Sequence, residues 1–277
     1  MKSSRGNIFV ICMYVLLAVF AAATLYPVLW MVFGSLKTEG EIYSNVWGPP
    51  ALPRFANYLA SWRTARIGTY VVNSILVTFP ALFLLLAFAC MAAYAFARLR
   101  FPGDNLIFYM FLLSLMIPAG VLVIPLFTLV RDLRLLDTRA SLVLTYSSSG
   151  LAFSIFLLRA YFLSIPKELE EAAVIDGCSP LRTFLRIVMP IAKPGIAVVS
   201  VFQGMDMWNE FFLALVFVRR ETMRTIPLGL LQFFKKYSTD WPLFFAAVCM
   251  TTIPIIALYI CSQKQFIKGL TAGALKG

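Results

Sequence analysis

Histidine is missing from all 277 residues, and charge of either sign is scarce: Asp, Glu, Lys and Arg together make up 13% of the chain. The first absence removes imidazole acid–base chemistry, Ser-His and Cys-His nucleophile activation, and His-ligated zinc or haem. The second removes the ordinary soluble globular class, in which ~25% of residues are charged. Cysteine supplies no framework either. Cys12, Cys90, Cys178, Cys249 and Cys261 have no Cys-x-x-Cys spacing and an odd total, and they read as small apolar filler with no disulfide and no metal site. Low-complexity tracts and internal repeats are also missing.

What is present is apolar, at 61% of residues. Six runs stand out: Ile8–Phe33, Tyr70–Ala97, Leu106–Val130, Ser141–Phe162, Gly195–Val218 and Leu243–Ser262. Each reaches the ~20 residues that a helix needs to cross a ~30 Å hydrocarbon layer. Their only charged residues are Arg159, Asp206 and Glu210. The chain therefore reads as an all-α integral membrane protein with six transmembrane helices and both termini on one side. The first run could instead be a signal peptide, with Lys2 and Arg5 as basic leader and Ala21-Ala22-Ala23 as cleavage region. Its continuation through Leu25–Phe33 favours a retained helix.

The formal net charge of +11 says little about partners. With an inside N-terminus, eleven basic loop residues fall on the inner face and twelve on the outer face, so the positive-inside rule gives no orientation. A nucleic-acid partner is not implied. Pro27, Pro80, Pro118, Pro125 and Pro254 lie inside spans, where they kink helices and free carbonyls. Gly34–Thr69, punctuated by Gly48-Pro49-Pro50 and Pro53, reads as a loop on the membrane face with Trp47, Tyr58, Trp62 and Tyr70 as interfacial anchors.

The segment Leu163–Pro194 carries the local signal. Pro166 suits a helix start, and Glu168, Glu170 and Glu171 load the positive end of the helix dipole. Gly177 is a candidate left-handed stop, Ser179 the next N-cap and Pro180 its first-turn proline. These residues predict two short helices joined by a glycine bend, the second ending ahead of Pro190. The Ala172-Ala173 pair would present a smooth surface to another protein's groove, or the loop would merely connect two spans. In the fifth run, Asp206, Asn209 and Glu210 lie three and four apart and share one helical face. Carboxylates in lipid are costly, so this face should point inward, either lining a solute pathway or clamping helices together. Phe233, Phe234, Tyr237 and Trp241, in the stretch Arg219–Pro242, are sugar-stacking platforms or an interfacial aromatic belt.

The run EAAVIDGCSPLRTFLRIVMP, with Glu171-Ala172-Ala173, Gly177, Ile187 and Pro190, resembles the EAA loop of bacterial ABC-importer permeases. Met189 stands where that pattern usually has Leu. The likeness extends along nearly the whole chain. Asn73-Ser74, Ala93-Tyr94-Ala95, Arg98-Leu99-Arg100-Phe101-Pro102-Gly103, Ile117-Pro118, Ile165-Pro166-Lys167-Glu168-Leu169-Glu170, Trp208-Asn209-Glu210 and the ending from Gly269 together resemble the shorter permease of maltose-type carbohydrate importers.

That resemblance implies a type I ABC-importer (MetI-like) permease fold with a cytoplasmic coupling-helix loop. It implies residues 1–69 as first transmembrane helix and external loop, 70–265 as a core of five helices, and 266–277 as a cytoplasmic C-terminal tail. The implied partners are a second, longer permease, two copies of a cytoplasmic ATPase, an extracytoplasmic solute-binding protein, a sugar and membrane lipid. This chain would bind no cofactor, with ATP and Mg held by the ATPase, and would sit in the bacterial inner membrane with both termini cytoplasmic. Glu168, Glu171, Ala172, Ala173, Asp176, Gly177, Ile187 and Pro190 would form the coupling loop. Asp206, Asn209 and Glu210 would be candidates for the sugar pathway. Phe233, Phe234, Tyr237 and Trp241 would face the binding protein, and Gly269, Thr271 and Gly273 would let the tail reach the ATPase. Polyols and glycerophosphate-type solutes are alternative cargoes. Outside this family, a secondary carrier working alone predicts inverted repeats and paired intramembrane ionisable groups, and a membrane scaffold needs no coupling loop.

Overall fold

Apolar runs with no water to satisfy their backbone must close their hydrogen bonds internally, and helices dominate the result. The structure, a computed structural model, describes residues 2–63, 65–234 and 239–274, with the side chains of 2–8, 262 and 265–274 left outside the description. Among the described residues the only β pairing is an isolated antiparallel bridge between Phe234 and Thr239.

Three helices have unbroken apolar stretches long enough to cross a membrane: Phe9–Ser35, Ile67–Arg98 and Trp241–Cys261. Three further spans arise if each bent pair counts as one, namely Asp104–Ser114 with Ala119–Asp132, Arg139–Ser149 with Leu151–Leu163, and Pro180–Ile191 with Lys193–Asn209. The expected run Leu106–Val130 is thus broken by 102° rather than kinked. Pro118 explains it, because proline drives its predecessor out of the helical region, and Pro118 itself sits extended at φ −60°, ψ 130° ahead of Ala119. The 43° break between Ser149 and Leu151 has a different origin. Gly150 has the Gln203 amide and Leu85 where a β-carbon would be, so close helix approach sets the bend there. The last span runs on without a break into the expected tail, as one helix Trp241–Ala274.

The chain divides into two compact units. The first contains Met1–Gly68 and Leu230–Ile253. Its interior is aromatic, with Trp30 edge-on to Phe245 at 5.1 Å and Trp241 stacked on Phe245 at 5.7 Å. The loop after residue 35 is more structured than its prolines suggest, with short helices Glu39–Ser44 and Ala56–Arg63 on either side of them. Lys37 is fully buried there and donates to the carbonyls of Asn45 and Val46.

The second unit contains Thr69–Gly229 and Pro254–Gly277. Ala81, Ala89 and Ala93 let neighbouring helices approach Ile67–Arg98, and Leu85, Leu142, Ile155, Leu158, Phe162, Val188 and Val199 fill the core around them. Tyr70, expected as an interfacial anchor, is wholly buried. Asn73 donates to the carbonyls of Thr222 and Arg224 and accepts from Arg139, while Ser74 accepts from the Ile226 amide. Asp137, at φ 58°, accepts from the amides of Arg220 and Arg219, and these donors, Arg220 first, hold its carboxyl below the ordinary carboxylate range.

Candidate functional site: the hinged loop and the fifth span

The local chemistry of the loop folds as its residues direct. The first short helix is Glu168–Ile175, and Gly177 ends it in the left-handed region at φ +79°. The Gly177 amide donates to Val174 O and the Cys178 amide to Ala173 O, which completes a Schellman closure. Ser179 then caps the next helix by accepting from the Arg182 amide, with Pro180 in its first turn. Gly177→Val is expected to lower stability by about 1–2 kcal/mol, since a branched side chain is strained at that φ. Thermal unfolding of the purified importer measures it, and Gly177→Asn should cost less.

The second helix does not stop ahead of Pro190. It opens into a π turn over Phe184–Val188, in which the Met189 amide reaches back five residues to Phe184 O. The wider turn loosens the backbone just where proline lacks its donor, and the helix continues to Ile191 before the chain bends by 73° into Lys193–Asn209.

Glu168, Glu171, Ala172, Asp176 and Gly177 are exposed, as are Val174, Ile175 and Leu181. Ala173 is not part of that face, because it is 4% exposed and packs inside this chain. Ile187 is half-buried and Pro190 exposed. A cleft of about 320 Å³ lies beside the bend, lined by Tyr94, Glu170, Glu171, Val174, Ile175, Pro180 and Thr183.

Glu170 holds the loop in place, a role that sequence reasoning did not assign. It pairs with Arg98 Nε at 2.5 Å and accepts from the Tyr94 hydroxyl at 2.8 Å, while Arg98 Nη2 donates to Ile165 O at 2.7 Å. Tyr94 also packs on Phe184 at 4.8 Å and Phe162 at 6.1 Å. The signal available in the sequence was Tyr94 and Arg98 four apart, one turn of helix.

In the fifth span the three polar residues do not share one continuous helix. The helix stops at Asn209, Glu210 turns extended at ψ 124°, and a separate helix runs Phe212–Phe217. The Glu210 carboxylate caps that helix by accepting from the Leu213 and Ala214 amides, and it accepts from the Tyr146 hydroxyl at 2.7 Å. A carboxylate at a helix N-terminus is favourable, which explains why the break falls there. Asp206 and Asn209 are exposed, and the Asn209 amide returns to Met205 O. A cleft of about 400 Å³ that the sequence did not suggest lies at the other bends, with Ser114, Ser148 and Ser149 among its lining.

Phe233 is buried and Phe234 packs edge-on against Phe244 at 5.0 Å and Trp241 at 6.2 Å, so these rings form a cluster rather than separate platforms. Tyr237 lies outside the described residues, and of Gly269, Thr271 and Gly273 only the helical backbone is described. Among the described residues no group of acids and cysteines could hold a metal ion.

Apolar helices long enough to cross a membrane, and a hinge anchored through Glu170, describe a multi-pass membrane protein. Residues 86–271 match the family described as binding-protein-dependent transport system inner membrane component. The chain belongs to that family. It is 33% identical to a diacetylchitobiose uptake system permease of Streptomyces coelicolor, covering 99% of this chain and 91% of the relative. It is 32% identical to a melibiose/raffinose/stachyose import permease of Bacillus subtilis, covering 95% of each. Its fold matches, with a TM-score of 0.83 and 28% identity, a chain of a bacterial ABC transporter involved in the import of the acidic polysaccharide alginate, covering 95% of this chain and 98% of that one. The protein is thus a MetI-like ABC-importer permease subunit in the inner membrane, a transport component and not itself an enzyme.

Proposed function

We propose that this chain is the shorter of two permeases in an ATP-driven importer of a mono- or oligosaccharide, docked through the hinge at Gly177 onto one of two ATPase copies. The observation that carries this reading is the exposed face of Glu168, Glu171, Ala172 and Ile175 on a helix whose other side is fixed to the helix Ile67–Arg98 through Glu170. A partner gripping that face would move the spans with it, so ATPase closure on ATP could switch the pathway between inward- and outward-facing states. This reading puts the hinge and both termini in the cytoplasm, with Arg219–Pro242 facing the solute-binding protein. Residues 1–69 then form the first helix and external loop, 70–265 the five-helix core and 266–277 the tail.

The sugar class is supported by the relatives, whose names specify diacetylchitobiose and the melibiose/raffinose/stachyose set. Asp206 and Asn209 are the exposed polar residues of the fifth span offered to hydroxyls, and Asn209→Ala should change uptake without preventing assembly. A ligand screen on the cognate binding protein separates sugars from polyols and glycerophosphate-type solutes.

Docking is tested by Glu171→Lys in the reconstituted importer. Losing about 1.4 kcal/mol of charge complementarity would lower substrate-stimulated ATP hydrolysis and uptake together by about tenfold. If both rates match wild type, the docking role is wrong. Uptake by the isolated chain would favour a secondary carrier instead.

A further inference from the structure

The motif Arg98-Leu99-Arg100-Phe101-Pro102-Gly103 divides its two arginines between different tasks. Arg98 is consumed by Glu170 and Ile165 O. Arg100, two residues on, lines a small cavity together with Phe96, Asp104, Asn105, Phe108 and Arg159. Three helix ends meet there: the last turn of Ile67–Arg98, the start of Asp104–Ser114 and the end of Leu151–Leu163.

Arg159 is unusual within its own helix, as the one basic residue of the apolar run Ser141–Phe162. An arginine at such a site is expensive unless something completes its charge. Its Nε donates to Phe96 O at 3.2 Å and its guanidinium lies 4.2 Å from the Phe108 ring centroid. These contacts orient the guanidinium but supply no counter-charge. Neither Arg159 nor Arg100 forms an ion pair among the described residues. Asp104, the acid beside them, has Oδ1 engaged by the Asn105 amide at 2.6 Å. Two cations against one acid leave the cavity positive.

Size and depth narrow the ligand. The cavity holds about 80 Å³, room for two or three waters at ~30 Å³ each and well below the ~300 Å³ of ordinary small-molecule pockets. It lies at the ends of three helices, and a lipid phosphate sits where apolar helices leave the hydrocarbon layer. Guanidinium forks match phosphate oxygens, and basic pockets between transmembrane helices take anionic head groups.

We propose that this cavity binds a phosphate group, supplied by an anionic membrane phospholipid, through Arg100 and Arg159. The bound lipid would neutralise Arg159 and brace the turn at Gly103 between the second and third apolar runs. The reading needs only the membrane location of the chain and stands apart from the docking role of Glu171.

The test is a binding titration of the detergent-purified, delipidated importer with phosphatidylglycerol, phosphatidylcholine and inorganic phosphate, read by native mass spectrometry. Phosphatidylglycerol should occupy a site on the wild-type complex and bind about fivefold more weakly to Arg100→Gln, and similarly to Arg159→Gln, with roughly 25-fold loss in the double variant. Arg186→Gln, outside the cavity, should bind like wild type. Phosphatidylcholine should bind less well, because its ammonium offsets the phosphate charge. Displacement of the lipid by millimolar inorganic phosphate would keep the phosphate site but overturn its lipid source. Equal phosphatidylglycerol affinity in wild type and both single variants would overturn the proposal. Arg100 is exposed, so its variant keeps the test decisive even if Arg159→Gln fails to assemble.

Discussion

Glu170→Ala should destabilise the hinge by about 3–5 kcal/mol, because it strands the Arg98 guanidinium, which is only 6% exposed, without its counter-charge. The Tyr94 hydroxyl loses its acceptor in the same step. The expected outcome is a lowered unfolding temperature of the importer, faster proteolysis within Leu163–Pro194 and loss of uptake. Arg98→Ala should do nearly as much, since it removes the partner of a Glu170 carboxylate that is 14% exposed. The double replacement Arg98→Met with Glu170→Leu should recover much of the stability, because an apolar pair avoids burying either charge. A double variant no more stable than the singles would show that the two residues do not act as a pair.

Glu210→Ala is the second large effect. It withdraws the cap of the helix Phe212–Phe217, worth about 1 kcal/mol, and leaves the buried Tyr146 hydroxyl without an acceptor at about 1–3 kcal/mol more. Loss of roughly 3 kcal/mol should appear as a lower melting temperature, with Tyr146→Phe recovering part of it in the double variant. Glu210→Gln keeps one acceptor oxygen and should fall between. Asp206→Asn, at an exposed neighbour with no cap to lose, should leave stability within about 0.5 kcal/mol. If Glu210→Ala melts with wild type, the carboxylate is no clamp.

The three unbroken spans and the hinge were legible in the residues because their causes are local. Apolar run length, a glycine stop, a serine cap and a first-turn proline act within a few positions, and Gly177, Ser179 and Pro180 adopt the roles that their chemistry dictates. What was not legible depends on partners far along the chain. Glu170 looks like one of three dipole-loading acids until Arg98, 72 residues earlier, is placed against it. Asp206, Asn209 and Glu210 form a face only if the helix continues, and capping by Glu210 ended it instead. Proline was ambiguous for the same reason: Pro27, Pro80 and Pro125 stay inside helices, Pro118 breaks one, and the π turn before Pro190 lets the chain through. The Ala172-Ala173 pair looked symmetrical, and packing separated its members.

The helix Trp241–Ala274 has 34 residues, with Pro254 inside it, which at ~1.5 Å each makes a helical path of about 51 Å. A hydrocarbon layer takes up only ~30 Å of that, or slightly more of it if the helix tilts. The surplus of roughly 20 Å is more helix than hydrocarbon can cover, and it falls on the polar stretch that begins with Gln263 and Lys264, after the apolar span Trp241–Cys261.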